Sequence, residues 1–342
     1  MTTSMARADD HAVGLVYHHV SENTPSLTSV TPKTFAQHLA YLREQDFNVW
    51  SLGDILDAIE KGRDIPPNTV AITFDDAYLS VYDEAFRQLK NYGWPFTLFV
   101  NTEAIDLGYS SSMSWEQIRE IAKYGAEIGN HSHSHGHLVR RLDGETDAQW
   151  RQRITADILK AEQRLHEEIG VKPNLFAYPY GEYSDELIEI VEDLDYRGIA
   201  QRSGAFGRES DLMTIPRYPM STGYSDLQRF ATSVHSRPLP VQAIRVARPK
   251  PPNESIDNMT LTVGKGDYRV EQLACYSSRG HRLPSETSQT DALEIFVALD
   301  VKQPPGRNKI NCTAPSASEN GVYYWYSFQW LVKHADGSWY RE

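Results

Sequence analysis

No stretch of this chain approaches the roughly 20 consecutive apolar residues that a helix needs to span a bilayer, so no transmembrane segment is expected. Residues 1–10 are polar and lack the apolar core of a signal peptide. They read as a disordered tail or an appended segment. Basic charge is scarce: 34 Lys and Arg face 46 Asp and Glu, a formal net charge of −12. That balance excludes a broad basic surface for nucleic acid. It suits a neutral or cationic ligand, or solubility alone. Cysteine is scarcer still, with only Cys275 and Cys312, both near the C-terminus. Bonded to each other they imply an oxidising compartment; the other reading is two buried thiols.

What is present is an ordinary globular balance over 342 residues, 40% hydrophobic and 23% charged, enough for two domains with real cores. From His11 to about Val234, short apolar runs alternate with helical stripes. Ala12–Tyr17, Thr69–Phe74, Phe96–Val100, Glu127–Gly129, Leu175–Tyr178 and Gly198–Gln201 read as strands. Thr31-Pro32, Ser51, Ser114 with Gln117, and Ser184 read as helix starts, and Gly62, Gly93, Gly125 and Gly170 as stops. Repeated βα units point to a parallel sheet, and seven or eight of them to a distorted (β/α)7–8 barrel. Prolines 238, 240, 249, 251 and 252 then mark a linker over residues 238–252. Residues 253–342 alternate in strand fashion and read as a small all-β, sandwich-like domain, a carbohydrate-binding or interaction module. The first domain thus covers residues 11–237.

Three features carry chemistry. Strand Thr69–Phe74 ends in Asp75-Asp76, adjacent carboxylates that repel unless they share a cation or proton. His131 and His135 follow another strand; on a helical turn their spacing puts both imidazoles on one side, with His133 pointing elsewhere. With Asp76 they make a three-ligand set that leaves room for water, the composition of a catalytic metal site. Tyr178-Pro179-Tyr180-Gly181 closes a third strand with a turn able to present a backbone N–H. Each feature also has a bland reading, as a cap, a solvent loop or a strand-ending turn.

In order and placement, Thr73-Phe74-Asp75-Asp76, His131-x-x-x-His135 and Tyr178-Pro179-Tyr180-Gly181 resemble carbohydrate esterase family 4, the NodB-like polysaccharide deacetylases. Tyr17-His18-His19-Val20 and Ile215-Pro216-Arg217-Tyr218 look like the branch that deacetylates poly-β-1,6-N-acetylglucosamine in biofilms. The resemblance spans residues 11–235. It implies a metal-dependent N-deacetylase acting on a polysaccharide or oligosaccharide of N-acetylglucosamine, periplasmic or extracellular. By it Asp75 matches the general base, Asp76, His131 and His135 the ligands of a divalent metal (zinc by default, cobalt or nickel fitting too), the Tyr180 N–H the oxyanion donor, and His18 the general acid. His19 and His235 are rivals of His18. A carboxylate-rich pocket is expected to raise the His18 pKa above its usual value of about 6.5. Most members carry Arg where Ala177 stands, and Arg217 is the candidate to replace it from another strand.

Other readings stay open: deacetylation of chitin oligosaccharides, peptidoglycan or acetyl-xylan, or a glycan-binding pseudoenzyme signalled by Ala177. A dinuclear amidohydrolase needs a His-x-His that Tyr17-His18-His19 does not supply. Tyr78, Trp94 and Trp115 are candidates to line a sugar groove, with core packing favoured for Trp94. The alternating aromatics Tyr323–Trp330 are read as core on one face and ordinary surface on the other.

Overall fold

The structure is a computed structural model, and it describes residues 11–247, 253–289, 293–299 and 302–341. The tail expected over 1–10 and the linker residues 248–252 lie outside that set. The chain divides into two compact units, Met1–Gln201 with Phe206–Val234, and Arg202–Ala205 with His235–Glu342.

Local signals set the helices of the first unit. Thr31 Oγ1 accepts the Thr34 N–H, with Pro32 in the first helical turn, and helix Pro32–Glu44 buries Phe35, His38, Leu39 and Leu42. Ser114 and Gln117 form a reciprocal capping box for Trp115–Tyr124, and Gly125 (φ 108°) ends it. Thr146 and Gln149 do the same for the long helix Asp147–Ile169, which buries Trp150, Ile154, Ile158, Ala161 and Leu165. Each such cap contributes about 1 kcal/mol. The helix that stops at Gly93 is wound in two ways, as a π-helical Val81–Phe86 followed by α-helical Arg87–Tyr92.

The main sheet runs, in spatial order, Ala205–Gly207, His11–Tyr17, Thr69–Phe74, Thr97–Val100, Glu127–Asn130, Leu175–Ala177, Arg197–Ile199. From His11–Tyr17 onward the neighbours are parallel. Thr69–Phe74 is buried at every position, as a parallel strand covered on both faces must be. Tyr218–Pro219 pairs with Leu15–Val16 on the first strand. Just before it, Ile215 bridges to Ile199 on the last. Residues 215–219 therefore link His11–Tyr17 to Arg197–Ile199, the two ends of the parallel run, curling it into a distorted barrel. Parallel strands all point their C-terminal ends one way, so Asp75-Asp76, His131 and Tyr178–Gly181 emerge on one rim.

The second unit holds two four-stranded sheets. One core draws on both: Met259, Leu261, Val263, Ile295 and Val297 from the first, Cys275, Ile310, Cys312 and Ala314 from the other. That is a sandwich. Tyr324, Tyr326, Phe328 and Trp330 pack against this core. Cys275 and Cys312 lie opposite each other on paired strands and are bonded. The linker expected over 238–252 needs correction. Arg237–Pro238 and Val241–Val246 are strands, the latter pairing with Asn258–Val263, and the unit begins at His235. The alternating Val241-Gln242-Ala243-Ile244-Arg245-Val246 can ladder because the prolines, which lack an N–H, flank this run instead of interrupting it.

Candidate metal and active site

Asp76 follows Asp75 at the end of the Thr69–Phe74 strand, with φ 73°. Its Oδ1 lies 2.9 Å from His135 Nε2 and 3.3 Å from His131 Nε2. Neither approach has hydrogen-bond geometry, and Oδ1 is buried without a donor. His131 Nδ1 lies 2.7 Å from the Ala177 carbonyl, which only accepts, so Nδ1 carries the hydrogen and, in the neutral ring, Nε2 faces Asp76 with a lone pair. Acceptors converging without a donor repel one another unless a cation lies between them. One ligand atom from each of Asp76, His131 and His135 falls within 4.8 Å of the others, the only such group among the described residues. These donors fit a divalent metal with N/O preference. Burial opposes ionisation of Asp76, but His131 and His135 outweigh it and hold its carboxyl well below the usual range. Burial likewise opposes a charge on His131, yet Asp76 and Asp75 win and raise its pKa, so a proton on Nε2 and a metal ion compete for the same place.

The His131–His135 turn is not helical, contrary to the sequence expectation. Side chains replace the helical ladder. Asn130 Oδ1 accepts the Ser132 N–H at 2.8 Å, Asp157 accepts those of His133 and Ser134 at 3.1 Å each, and Ser132 Oγ accepts that of His135 at 3.0 Å. Ser132 (φ 64°) and His135 (φ 51°) consequently adopt left-handed backbone. His133 turns away and bonds Thr102 at 2.8 Å. Asp76, Ala77 (φ 52°) and Tyr180 (φ 57°) share the left-handed conformation. Such residues cost about 1–3 kcal/mol each and cluster at functional sites.

Asp75 is fully buried, and Arg217 grips it: Nη1–Oδ1 is 2.7 Å and Nη2–Oδ2 2.9 Å. The same guanidinium bonds Thr73 Oγ1 at 2.9 Å and the Ala200 carbonyl at 3.1 Å, over the Phe99 ring. Gly14 makes room, since a Cβ there would stand 2.9 Å from Arg217 Cγ. Burial pushes the Asp75 pKa up, but Arg217 outweighs it, and the carboxyl stays below its ordinary value. Arg217 thus lies beside Asp75 although it leaves from a different strand, while Ala177 supplies only its carbonyl to His131.

His18 lies at the same rim. The Gln201 amide nitrogen is 3.2 Å from His18 Nε2 and 3.3 Å from Asp75 Oδ2, linking the two. The pKa of His18 is lowered, not raised as expected: burial outweighs the pull of Asp75 and Asp76, and the charge of Arg217 works against protonation. His19 stacks on Tyr78 at 3.7 Å and approaches Ser80, and His235 belongs to the second unit. Trp94 packs on Tyr92 before its strand begins, at the opposite end from the site. Trp115 donates to Asp106 at 2.9 Å. Sequence reasoning missed Gln201, Asn130, Asp157 and Glu182. Gln201, a polar residue following a barrel strand, carried the signal that could have found it; Asp157 and Glu182 carried none.

The family profile described as polysaccharide deacetylase matches residues 62–199. The poly-beta-1,6-N-acetyl-D-glucosamine N-deacetylase of Escherichia coli (strain K12) is 27% identical over 259 residues, 65% of this chain and 38% of that protein. The protein of that name from Staphylococcus epidermidis is 28% identical over 235 residues, 61% of this chain and 79% of its own. The chain therefore spans well under half the length of the Escherichia coli relative. Among solved structures, IcaB from Ammonifex degensii superposes with a TM-score of 0.57 at 27% identity, covering 69% of this chain and 99% of that one. Strand-end motifs, barrel and profile agree: residues 62–199, within the first unit, form a polysaccharide deacetylase domain.

Proposed function

We propose that the protein removes acetyl groups from an N-acetylglucosamine-containing polysaccharide, releasing acetate and leaving a free amine. The observation that carries this reading is the donorless convergence of Asp76, His131 and His135 beside an Arg-paired Asp75. The three would hold a divalent metal, zinc by default, with cobalt or nickel equally suited to the donors. Such a cation, when bound, lowers the pKa of water to about 7 and polarises a carbonyl. Asp75, kept ionised and aimed by Arg217, draws the proton from the attacking water. The backbone N–H of Tyr180 receives the oxyanion that develops on the acetyl carbonyl; losing one such donor costs about 10²–10³ in rate. His18 protonates the departing nitrogen. Because burial keeps the resting imidazole neutral, the proton it donates is the one drawn from water and passed on from Asp75.

Arg217 also supports catalysis over mere glycan binding. It restores to Asp75 the guanidinium that Ala177 cannot provide. The names of the relatives support a β-1,6-linked substrate over chitin oligosaccharides, peptidoglycan or acetyl-xylan. A polymeric substrate and the Cys275–Cys312 bond support a periplasmic or extracellular location. We assign the second unit as a carbohydrate-binding or interaction module.

The test is acetate release from β-1,6 and β-1,4 N-acetylglucosamine oligomers, with and without chelator. Chelator should abolish release, and added Zn²⁺ or Co²⁺ should restore it. Undiminished release in excess chelator would eliminate this chemistry.

A further inference from the structure

We propose that His137, held by Glu182, is a positioning residue that clamps Tyr180 against His135, an inference that rests on the function proposed above. The Tyr180 ring contacts two imidazoles. His137 stacks on it at 4.2 Å and 14°, and His135 meets it at 4.7 Å and 58°. The outer imidazole is itself restrained: His137 Nδ1 is 2.8 Å from Glu182 Oε2. That contact fixes the plane of the ring. Glu182 is 2% exposed, and its Oε1 faces Arg140 Nη2 at 3.8 Å.

The clamp acts on a strained turn. Tyr180 holds φ 57° between Pro179 and Gly181. The Gly181 N–H bonds the Tyr178 carbonyl and the Glu182 N–H bonds that of Pro179. Strained backbone persists only where its surroundings over-determine it. Stacking on one imidazole and tilted contact with the other restrict both the side chain and the peptide of Tyr180. Its N–H and the His135 imidazole are thereby fixed relative to one another. His137 contributes no atom to the Asp76–His131–His135 set.

The test compares His137→Ala, His137→Phe and Glu182→Gln with the parent chain, reading Zn²⁺ affinity by competition with a chromophoric chelator, then kcat and KM for acetate release. Outer-shell partners of metal ligands typically command about 10–100-fold in affinity or activity. His137→Ala should lose about tenfold in both Zn²⁺ affinity and kcat, with KM moving less than about twofold. His137→Phe keeps a flat ring and should recover most of the loss, which a merely structural contribution to thermal stability would not show. Should the Ala variant not fold, Glu182→Gln serves, with an expected loss of about threefold or more in affinity. Parent-like values in His137→Ala and Glu182→Gln, or a loss that Phe does not recover, overturn the clamp alone. A parent chain that binds no divalent cation overturns the clamp and the proposed function together.

Discussion

Arg217→Met tests the electrostatic logic of the site without recourse to substrate. The guanidinium and the Asp75 carboxylate are both fully buried and joined by two bonds of 2.7 and 2.9 Å. Met fills much of the same volume but leaves the carboxylate without its cation. Removing one partner of a buried pair typically costs about 3–5 kcal/mol. For a unit of this size each kcal/mol moves the midpoint by about 2–4 °C, so metal-free protein should melt roughly 6–20 °C lower. The sign with pH follows from linkage. In the parent, Arg217 holds the Asp75 pKa below its unfolded value, so the pair stabilises above the unfolded pKa of about 3.9 and that stability fades as pH falls through the folded pKa. In the variant, burial is opposed only by the smaller pull of His131 and His18 and raises the pKa, so stability falls as pH rises. The deficit should therefore be larger at pH 8 than at pH 5. Adding Asp75→Asn removes the stranded charge and should recover most of the loss, a coupling readable by a double-mutant cycle. The assay is thermal unfolding by circular dichroism in chelator. A single-variant cost below about 1 kcal/mol, or a double variant as unstable as the two losses summed, would refute the reasoning.

His38 should make stability depend on pH. Its Nε2 lies 2.8 Å from the Ser225 carbonyl, leaving Nδ1 to accept from the Tyr17 hydroxyl at 2.9 Å, and burial lowers its pKa to about 4. The unfolded chain binds the extra proton first, so stability is full above about pH 6.5 and roughly 3 kcal/mol should be lost by pH 4; His38→Gln should flatten that slope in urea titrations. His18→Ala should cut turnover by about 10²–10⁴ with Zn²⁺ affinity unchanged, and near-normal turnover would move the acid role elsewhere. Replacing Cys275 and Cys312 with Ser should destabilise the second unit by about 2–4 kcal/mol, seen as a lower melting transition.

How far the sequence alone reaches differs from element to element. Signals that act within a few residues were legible in the chain. Thr31-Pro32, the Ser114–Gln117 box and the stops at Gly93 and Gly125 depend on bonds closed locally. The fully apolar Thr69–Phe74 run declared a strand covered on both sides, and the charged residues just beyond it declared the rim. The order of Asp75-Asp76, His131-x-x-x-His135 and Tyr178–Gly181 was enough to name the family. The sequence could also nominate Arg217, because a missing guanidinium at Ala177 demands another.

What only the tertiary structure decided was everything that depends on groups distant in the chain. Arg217 reaches Asp75 because residues 215–219 join His11–Tyr17 to Arg197–Ile199 and Gly14 leaves space beneath the side chain. The histidine turn departs from helix because Asp157, on a helix more than 20 residues away, takes its N–H groups. The pKa of His18 moves down because desolvation depends on surrounding volume, which composition does not encode, and it outweighs the nearby carboxylates. Val241–Val246 is sheet because Asn258–Val263 offers it a ladder, a partner invisible in a local reading of its prolines. Short-range bonding is written residue by residue, whereas burial and long-range pairing exist only once the strands have been brought side by side.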